Sequence, residues 1–533
     1  MSLFATLPTE LYSDILSYIP ELYLQKTILS LSRAIPYSPV PLQGLFNHIR
    51  LSHPDQVFQL YRRLRTTITN DDKSTSIHID PAASTVRSFS LESWVADANV
   101  TINLVGLLTE ITKLTLWIGP MNFAPENLEE LITKLRRNMM ELRVLELRFR
   151  PYVEKATYLQ FLKGSYFDST LLALAQWPHE TLRTLSIVQD PLGLTQIQLT
   201  PRPSFAQPIV FFRLDDAFSS LLLCPYINAL RFRLPSRTLM RAVTNASPRT
   251  YSHIRVLDLS TTSTYDTDID TIVTRFSKLE HLVLDGCSTL HNALGGATLE
   301  GPGTREEWYG LGKRCALGGA RRTREREKMV KQWLEANREH EQTAATESTA
   351  KKPRKGRKGL ATATISLRSA SPPPSQVSGP SSLSPPVGLP QKVRIIPSAP
   401  TLRSLSIALP NTPVNLHGDI LAAFERGWKD GLAQLVTRRR TILHAWVLNR
   451  RRTGTKSDKI DTKVAKFDDD EDEWDGLNGL EDVEMDDLEV EDRFVEECGV
   501  PVLCLLGPDS EESHQTGCGH QMSTFAELAR MSH

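Results

Sequence analysis

The feature that most constrains this chain is a short phrase, apolar-x-x-Leu-x-Leu, that keeps returning along it. It is clearest at Ile254, Leu257 and Leu259. It comes again at Leu279, Leu282 and Leu284, closed by Cys287, starting 25 residues after the first. Between the two lie a Ser/Thr/Asp turn and an apolar run at helical spacing, Ile269, Ile272, Val273 and Phe276. Two leucines two positions apart share one face of a strand. A single strand and helix cannot bury their own apolar faces, so each copy must stack on its neighbours. Weaker copies are Val86-Phe89-Leu91, Ile111-Leu114-Leu116, Leu142-Leu145-Leu147, Leu182-Leu185-Ile187, Ile227-Leu230-Phe232 and Leu402-Leu405-Ile407.

One short strand and one helix per repeat of roughly 20–29 residues resembles the leucine-rich repeat. Leu182 and Ile227 begin successive copies 45 residues apart, so loops are inserted. The expected fold is α/β: an irregular solenoid with parallel strands on its concave face, helices outside, and long disordered insertions. Alternate strand positions would then line the concave face. They include Arg148, Arg231 and Arg233 in the middle copies and Asp258 and Asp285 in the later ones. These five are the candidate substrate-binding residues, on a surface graded in charge and not a catalytic pocket.

The chain has 533 residues, enough for roughly two to four domains if all of it folds. Its 62 Lys+Arg and 62 Asp+Glu cancel, so no global field steers it to nucleic acid or membrane. The six cysteines are scattered, which argues for a reducing compartment and against a disulfide scaffold. The opening Met1-Ser2-Leu3-Phe4-Ala5 has no basic n-region, and no apolar run is long enough to span a bilayer. The expected location is intracellular, in cytoplasm, nucleus or both.

The second informative stretch is N-terminal. Pro8 suits a first helical turn and Glu10 favours a helix N-terminus. Leu11, Ile15, Leu16 and Ile19 form one apolar face before Pro20. Leu22, Leu24, Ile28, Leu29 and Leu31 begin a second amphipathic helix that ends near Ala34. Two such helices carry more apolar surface than they can bury in each other, which marks a partner surface. The pattern Leu7-Pro8-x-Glu10-Leu11-x-x-x-Ile15-Leu16-x-x-Ile19-Pro20, followed by Leu24 and Leu29-Ser30-Leu31-Ser32-Arg33, resembles an F-box. That resemblance covers about 40 residues. It implies a helical module that docks on the Skp-type adaptor of a cullin–RING ubiquitin ligase, through Leu7, Pro8, Leu11, Ile15, Leu16, Ile19 and Leu24. The family's aromatic after the Arg is absent, and Pro36, Pro39 and Pro41 interrupt what is normally a third helix. The same helices could instead cap the first repeat.

The expected organisation is a helical module over 1–50, a connecting helix over 51–76 and repeats over 77–299. A disordered insertion follows over 300–398, then further repeats over 399–452, an acidic disordered segment over 453–493 and a terminal strand and tail over 494–533. Within the insertion, Arg321 to Gln342 could form a lone exposed helix. Lys351, Lys352, Arg354, Lys355, Arg357 and Lys358 form a dense basic cluster, a candidate nuclear-import signal or nucleic-acid contact. Ser/Pro-rich sequence follows, which cannot bury enough apolar surface to order itself. Asp468 to Asp492 is strongly acidic, and Val500 to Leu506 reads as a closing strand.

No catalytic constellation stands out: there is no phosphate-binding glycine loop, no nucleophile elbow and no His-Glu-x-x-His. Cys498, Cys504, His514, Cys518 and His520 gather near the end. However, Cys518-x-His520 is a tighter pair than zinc sites use, and Cys504 lies in an apolar strand. No metal, cofactor or small-molecule substrate is expected. The expected function is that of a non-catalytic substrate receptor in an adaptor–ligase complex, binding an unidentified target protein. The alternatives are a repeat scaffold without a ligase role, and a nuclear protein associated with nucleic acid or histones.

Overall fold

The computed structural model describes residues 7–19, 21–42, 44–69, 75–119, 121–150, 166–190, 209–245, 249–294, 302–348, 390–409, 414–452, 462–468, 474–485, 498–507 and 514–523. The fold is mixed α/β and solenoid-like, built on a ten-stranded parallel sheet with fifteen helices among the described residues. The contacts divide the chain into two compact units. One comprises Met1–Gly319, Ala399–Val436 and Arg493–His533; the other comprises Ala320–Ser398 and Thr437–Asp492.

The first unit opens with α1 (Thr9–Ser17) and α2 (Glu21–Ala34), then a single turn, α3 (Gly44–Asn47). Pro8 is the N-cap of α1 and not its first helical residue. Strand β1 (His48–Leu51) leads into α4 (Pro54–Leu64). Pro54 opens that helix, and the side chain of Gln56 accepts from the backbone N–H of Ser52 and His53. A hairpin, β2 (Arg65–Thr69) and β3 (Thr75–Ile79), stands where the connecting segment was expected to end.

From there strand and helix alternate: β4 (Ser88–Leu91), α5 (Ala98–Leu107), β5 (Lys113–Ile118), α6 (Pro125–Asn138), β6 (Val144–Phe149), α7 (Asp168–Ala175) and β7 (Thr184–Gln189). They continue with α8 (Leu214–Leu222), β8 (Ala229–Arg233), α9 (Met240–Asn245), β9 (Val256–Asp258), α10 (Asp266–Arg275), β10 (His281–Val283) and α11 (Ser288–Ala293). Later strands β12 (Ser404–Ser406) and β15 (Val502–Cys504) close the sheet, whose order is β1-β4-β5-β6-β7-β8-β9-β10-β12-β15.

The register explains the repeated phrase. Ile49, Phe89, Leu114, Leu145, Leu185, Leu230, Leu257, Leu282, Leu405 and Leu503 lie side by side across the ten strands. Except for Ile49 and Leu503, each is the first leucine, or its substitute, in a copy read from the sequence. The two end strands carry the phrase as well, as Phe46-x-x-Ile49-x-Leu51 and Val500-x-x-Leu503-x-Leu505. The residues three before the column, from Val86 to Leu402, are buried in the same core.

The expectation of disorder over 300–398 fails for its described part. Helix α12 (Pro302–Ala316) belongs to the first unit and buries Trp308, Leu311, Cys315 and Ala316 in the main core. It meets α14 (Val414–Arg452), which inserts Ile420, Phe424 and Trp428. The two backbones touch: a Cβ on Gly427 would lie 1.9 Å from the carbonyl oxygen of Tyr309, and one on Gly312 would lie 2.2 Å from that of Phe424. Glycine is needed here for close approach, not for an unusual dihedral.

The second unit is folded too. Helix α13 (Gly318–Ser348) supplies Val330 and Leu334, which pack with Val393, Ile395 and Ala465. Those last three come from β11 (Lys392–Ile395) and β13 (Thr462–Phe467), which pair in parallel; β14 (Leu480–Asp482) runs antiparallel to β13. The helix is therefore neither lone nor exposed, and the segment 453–493 holds two strands. Arg322 and Arg326 are buried, Arg322 over the ring of Phe467 at 4.3 Å and Arg326 against the carbonyl of Asn478. Their long apolar stems let a charged sequence line a core. The basic cluster 351–358 lies outside the described residues. Among the described residues no helix is long and apolar enough to cross a membrane.

The contact between α12 and α14 yields a paired prediction. Gly427→Ala should destabilise the first unit by about 1–3 kcal/mol, because backbone cannot yield to a new methyl. Gly418→Ala in the same helix meets nothing within 4 Å and should be neutral or stabilising by up to about 1 kcal/mol. Denaturant titration of both variants checks the contrast.

Candidate functional site

Three places bear on function: the N-terminal helices, the polar face of the sheet, and a cysteine–histidine group at the C-terminal end of the sheet.

The N-terminal helices have their own small core of Tyr12, Leu16, Ile28 and Val40, with Leu7, Ile19, Leu24, Leu31 and Leu45 packed on it. Leu16 faces inward as part of that core. Leu11 and Ile15 do not: they are 45% and 44% exposed, and Tyr18, Tyr23 and Leu29 of the same two helices and their junction are exposed too. The seven expected docking residues therefore divide. Leu11 and Ile15 offer surface, Leu7, Leu16, Ile19 and Leu24 hold the module together, and Pro8 is exposed at the N-cap of α1.

The polar face runs opposite the leucine column. Toward its N-terminal strands it is open. Trp94 and Trp117 pack ring to ring at 4.9 Å, Arg148 lies over Trp117 at 5.1 Å, and Arg150 lies over Trp94 at 4.8 Å. Arg148 also pairs with Asp190. Of this group only Arg148 was a candidate from sequence. Trp117 had a readable signal, since it sits one step past Leu116 and so on the same face as Arg148.

Two of the expected contact residues are not on an open surface. Asp258 is 1% exposed. Its carboxylate accepts from Arg231 Nε at 2.9 Å, Arg233 Nη2 at 2.7 Å and the Ser260 hydroxyl at 2.7 Å. Burial alone would raise the Asp258 pKa, but Arg233 and Arg231 outweigh it and hold the acid below its ordinary value. Burial lowers Arg231 while Asp258 raises it; a guanidinium stays charged regardless, so the pair is ionic. The charge gradient seen in sequence is thus an internal clamp across β8 and β9. Asp285 is also buried, 6% exposed, and accepts from the backbone N–H of Ala408 at 2.8 Å.

What covers these residues is the C-terminal segment. Helix α15 (Gly519–Ser523) packs on β9, β10 and β12. The backbone approaches so closely that a Cβ on Gly519 would lie 2.8 Å from Ser406 Oγ. His281, Ser404 and Ser406 are buried beneath it, with His281 Nδ1 at 2.7 Å from Ser404 Oγ.

The cysteines and histidines meet at this cover. One ligand atom each from Cys504, His514, Cys518 and His520 lies within 4.8 Å of all the others. His514 Nδ1 is 3.5 Å from Cys504 Sγ and 3.9 Å from Cys518 Sγ, and His520 Nδ1 is 3.2 Å from Cys518 Sγ. His520 Nε2 is 2.7 Å from Asp285 Oδ2. Cys498 stands outside the group.

The sequence spacing speaks against a metal site here, yet the fold brings the four ligand atoms together. Cys504 ends its strand on the polar face, in register with Ser406, not in the leucine column. The Cys518-x-His520 pair converges because histidine can use Nδ1, the ring nitrogen nearer the backbone. The chain also turns at Gly517, with φ +82°, into the start of α15. The hydrogen bond from Cys504 holds the Cys518 thiol down and pushes Cys504 up. Burial lowers His520, but Asp285 and Cys518 more than reverse this and carry it up to about 9.

No family model matches this sequence, and no curated protein matches it.

The Asp258 clamp predicts an acid-labile step. Its folded pKa lies below the unfolded one, so its contribution is complete at neutral pH. That contribution is lost as pH falls from about 4, the unfolded carboxylate value, through the folded value. Asp258→Asn should cost about 3–5 kcal/mol at neutral pH by removing the buried anion that both Arg231 and Arg233 contact. It should also flatten the stability profile below about pH 4, as read by denaturant midpoints across pH.

Proposed function

We propose that this chain is a substrate-receptor subunit of a cullin–RING ubiquitin ligase. The N-terminal helices act as an F-box that docks on the Skp-type adaptor. The ten-stranded domain acts as an irregular leucine-rich-repeat domain that captures the target. The observation that carries this reading is the division of α1. Tyr12 and Leu16 close the module's own core, while Leu11 and Ile15 stay on the outside. A helical cap would turn Leu11, Ile15 and Leu16 together toward the first strands. The exposed pair extends the apolar surface that the F-box resemblance assigns to adaptor docking.

The open part of the polar face, with Trp94, Trp117, Arg148 and Arg150, supplies the target-binding surface. Tryptophan and arginine are the residue types that most often dominate protein–protein interfaces. The chain forms no covalent bond of its own. It brings target lysines near a ubiquitin-charged enzyme, and the acceleration is that of proximity.

The test is capture of purified Skp-type adaptor by the full chain, wild type against Leu11→Asp/Ile15→Asp. Both positions are on the surface, so the variant should keep the wild-type fold by circular dichroism and lose adaptor binding at least about tenfold. A wild-type chain that captures no adaptor, or a double variant that binds as well as wild type, sinks the reading.

A further inference from the structure

Four side chains at the C-terminal end of the sheet have the donor set, spacing and enclosure of a structural metal centre. Two thiols and two imidazoles are the ligands of a tetrahedral zinc site. For zinc–sulfur bonds of about 2.3 Å and zinc–nitrogen bonds of about 2.0–2.1 Å, each sulfur–nitrogen edge of a tetrahedron is about 3.5 Å. The three sulfur–nitrogen distances given above, 3.5, 3.9 and 3.2 Å, lie around that value. Cys504, Cys518 and His520 are buried, and four protein donors leave no open position for substrate.

The surroundings add a second, independent observation. A zinc-bound histidine usually donates its other ring N–H to a carboxylate, which fixes the tautomer and the ring orientation. His520 Nε2 meets Asp285 Oδ2 at 2.7 Å, so its Nδ1 is left facing Cys518. Asp285 is itself fixed, its other oxygen accepting from Ala408. A buried acid at the end of β10 is costly, and this arrangement gives it a role that substrate binding does not.

We propose that Cys504, His514, Cys518 and His520 bind one Zn(II) ion, with Asp285 orienting His520, and that this ion clasps the C-terminal segment onto the polar face at β9, β10 and β12. Binding displaces two protons to solvent, one from the Cys504 thiol and one held between Cys518 and His520, so that both sulfurs bind as thiolates and both imidazoles as neutral rings, with no change of oxidation state. The clasp closes the C-terminal end of the polar face and leaves β4 to β6, with Trp117 and Arg148, as the surface open to a partner. The proposal stands apart from adaptor docking, since none of its residues lies in the N-terminal module.

The experiment is metal analysis of the full chain by inductively coupled plasma mass spectrometry, after dialysis without chelator. It is followed by zinc titration of the stripped chain against a chromophoric chelator. The wild type should retain about one zinc per chain and take it back after stripping. Cys504→Ser/Cys518→Ser should drop below about one-tenth equivalent. Asp285→Asn should keep the stoichiometry and bind about 10–100-fold more weakly. Cobalt in place of zinc should give a thiolate-to-cobalt charge-transfer band that disappears in the cysteine variant. A folded wild-type chain that takes up no zinc overturns the proposal without reference to any variant. So does zinc retained in full by the cysteine variant, or an intact mass lower by two hydrogens that reveals a Cys504–Cys518 disulfide instead.

Discussion

Everything in the first unit depends on one column of apolar side chains held in register. Leu114, Leu145, Leu185, Leu230, Leu257, Leu282 and Leu405 lie side by side because parallel pairing places equivalent residues opposite one another. No strand of three to six residues could bury such a side chain alone, so the sheet grows by stacking and needs something at each end. At one end stand β1 and the N-terminal helices. At the other stands β15, with the cysteine–histidine group beside it. The two ends are where the chain departs from repetition, and they are also where its candidate chemistry lies.

The polar face is divided by the same logic. Side chains alternate across a strand, so each leucine in the column has neighbours pointing the other way. Over β4 to β6 these include Ser90, Thr115, Trp117, Glu146 and Arg148, which are all partly exposed, whereas Thr184 and Ser186 on β7 are already buried. From β9 onward they are Asp258, His281, Val283, Ser404 and Ser406, all buried. Burying polar groups without partners is costly. Here the clamp of Arg231 and Arg233 on Asp258, and the contact of His281 with Ser404, supply the partners.

Much of this was legible in the sequence, and the failures have physical reasons. The eight copies of the phrase located eight of the ten strands, because Leu-x-Leu with a third apolar residue upstream is a local pattern. The end strands carry the same phrase, and the last of them was legible from its own apolar run, Val500 to Leu506. Helices α12 and α13 were read as insertion because their Arg, Lys and Glu content hides how few residues they bury. Trp308 and Gly312, which faces α14, were the signal. The cysteine–histidine group was visible as a cluster, yet its spacing spoke against a metal. Convergence depends on Cys504 facing away from the core and on histidine using Nδ1, and both are properties of the folded chain. Asp258 and Asp285 were placed on the right face; that the C-terminal segment covers it could not be read from the strands alone.

The most direct measurement of the whole account is hydrogen–deuterium exchange on the full chain, with and without purified Skp-type adaptor. Docking through α1 and α2 should bring new protection confined to residues 9–34, with exchange over β4 to β6 unchanged. Protection that falls on the sheet and leaves α1 untouched, or no protection at saturating adaptor, would contradict it.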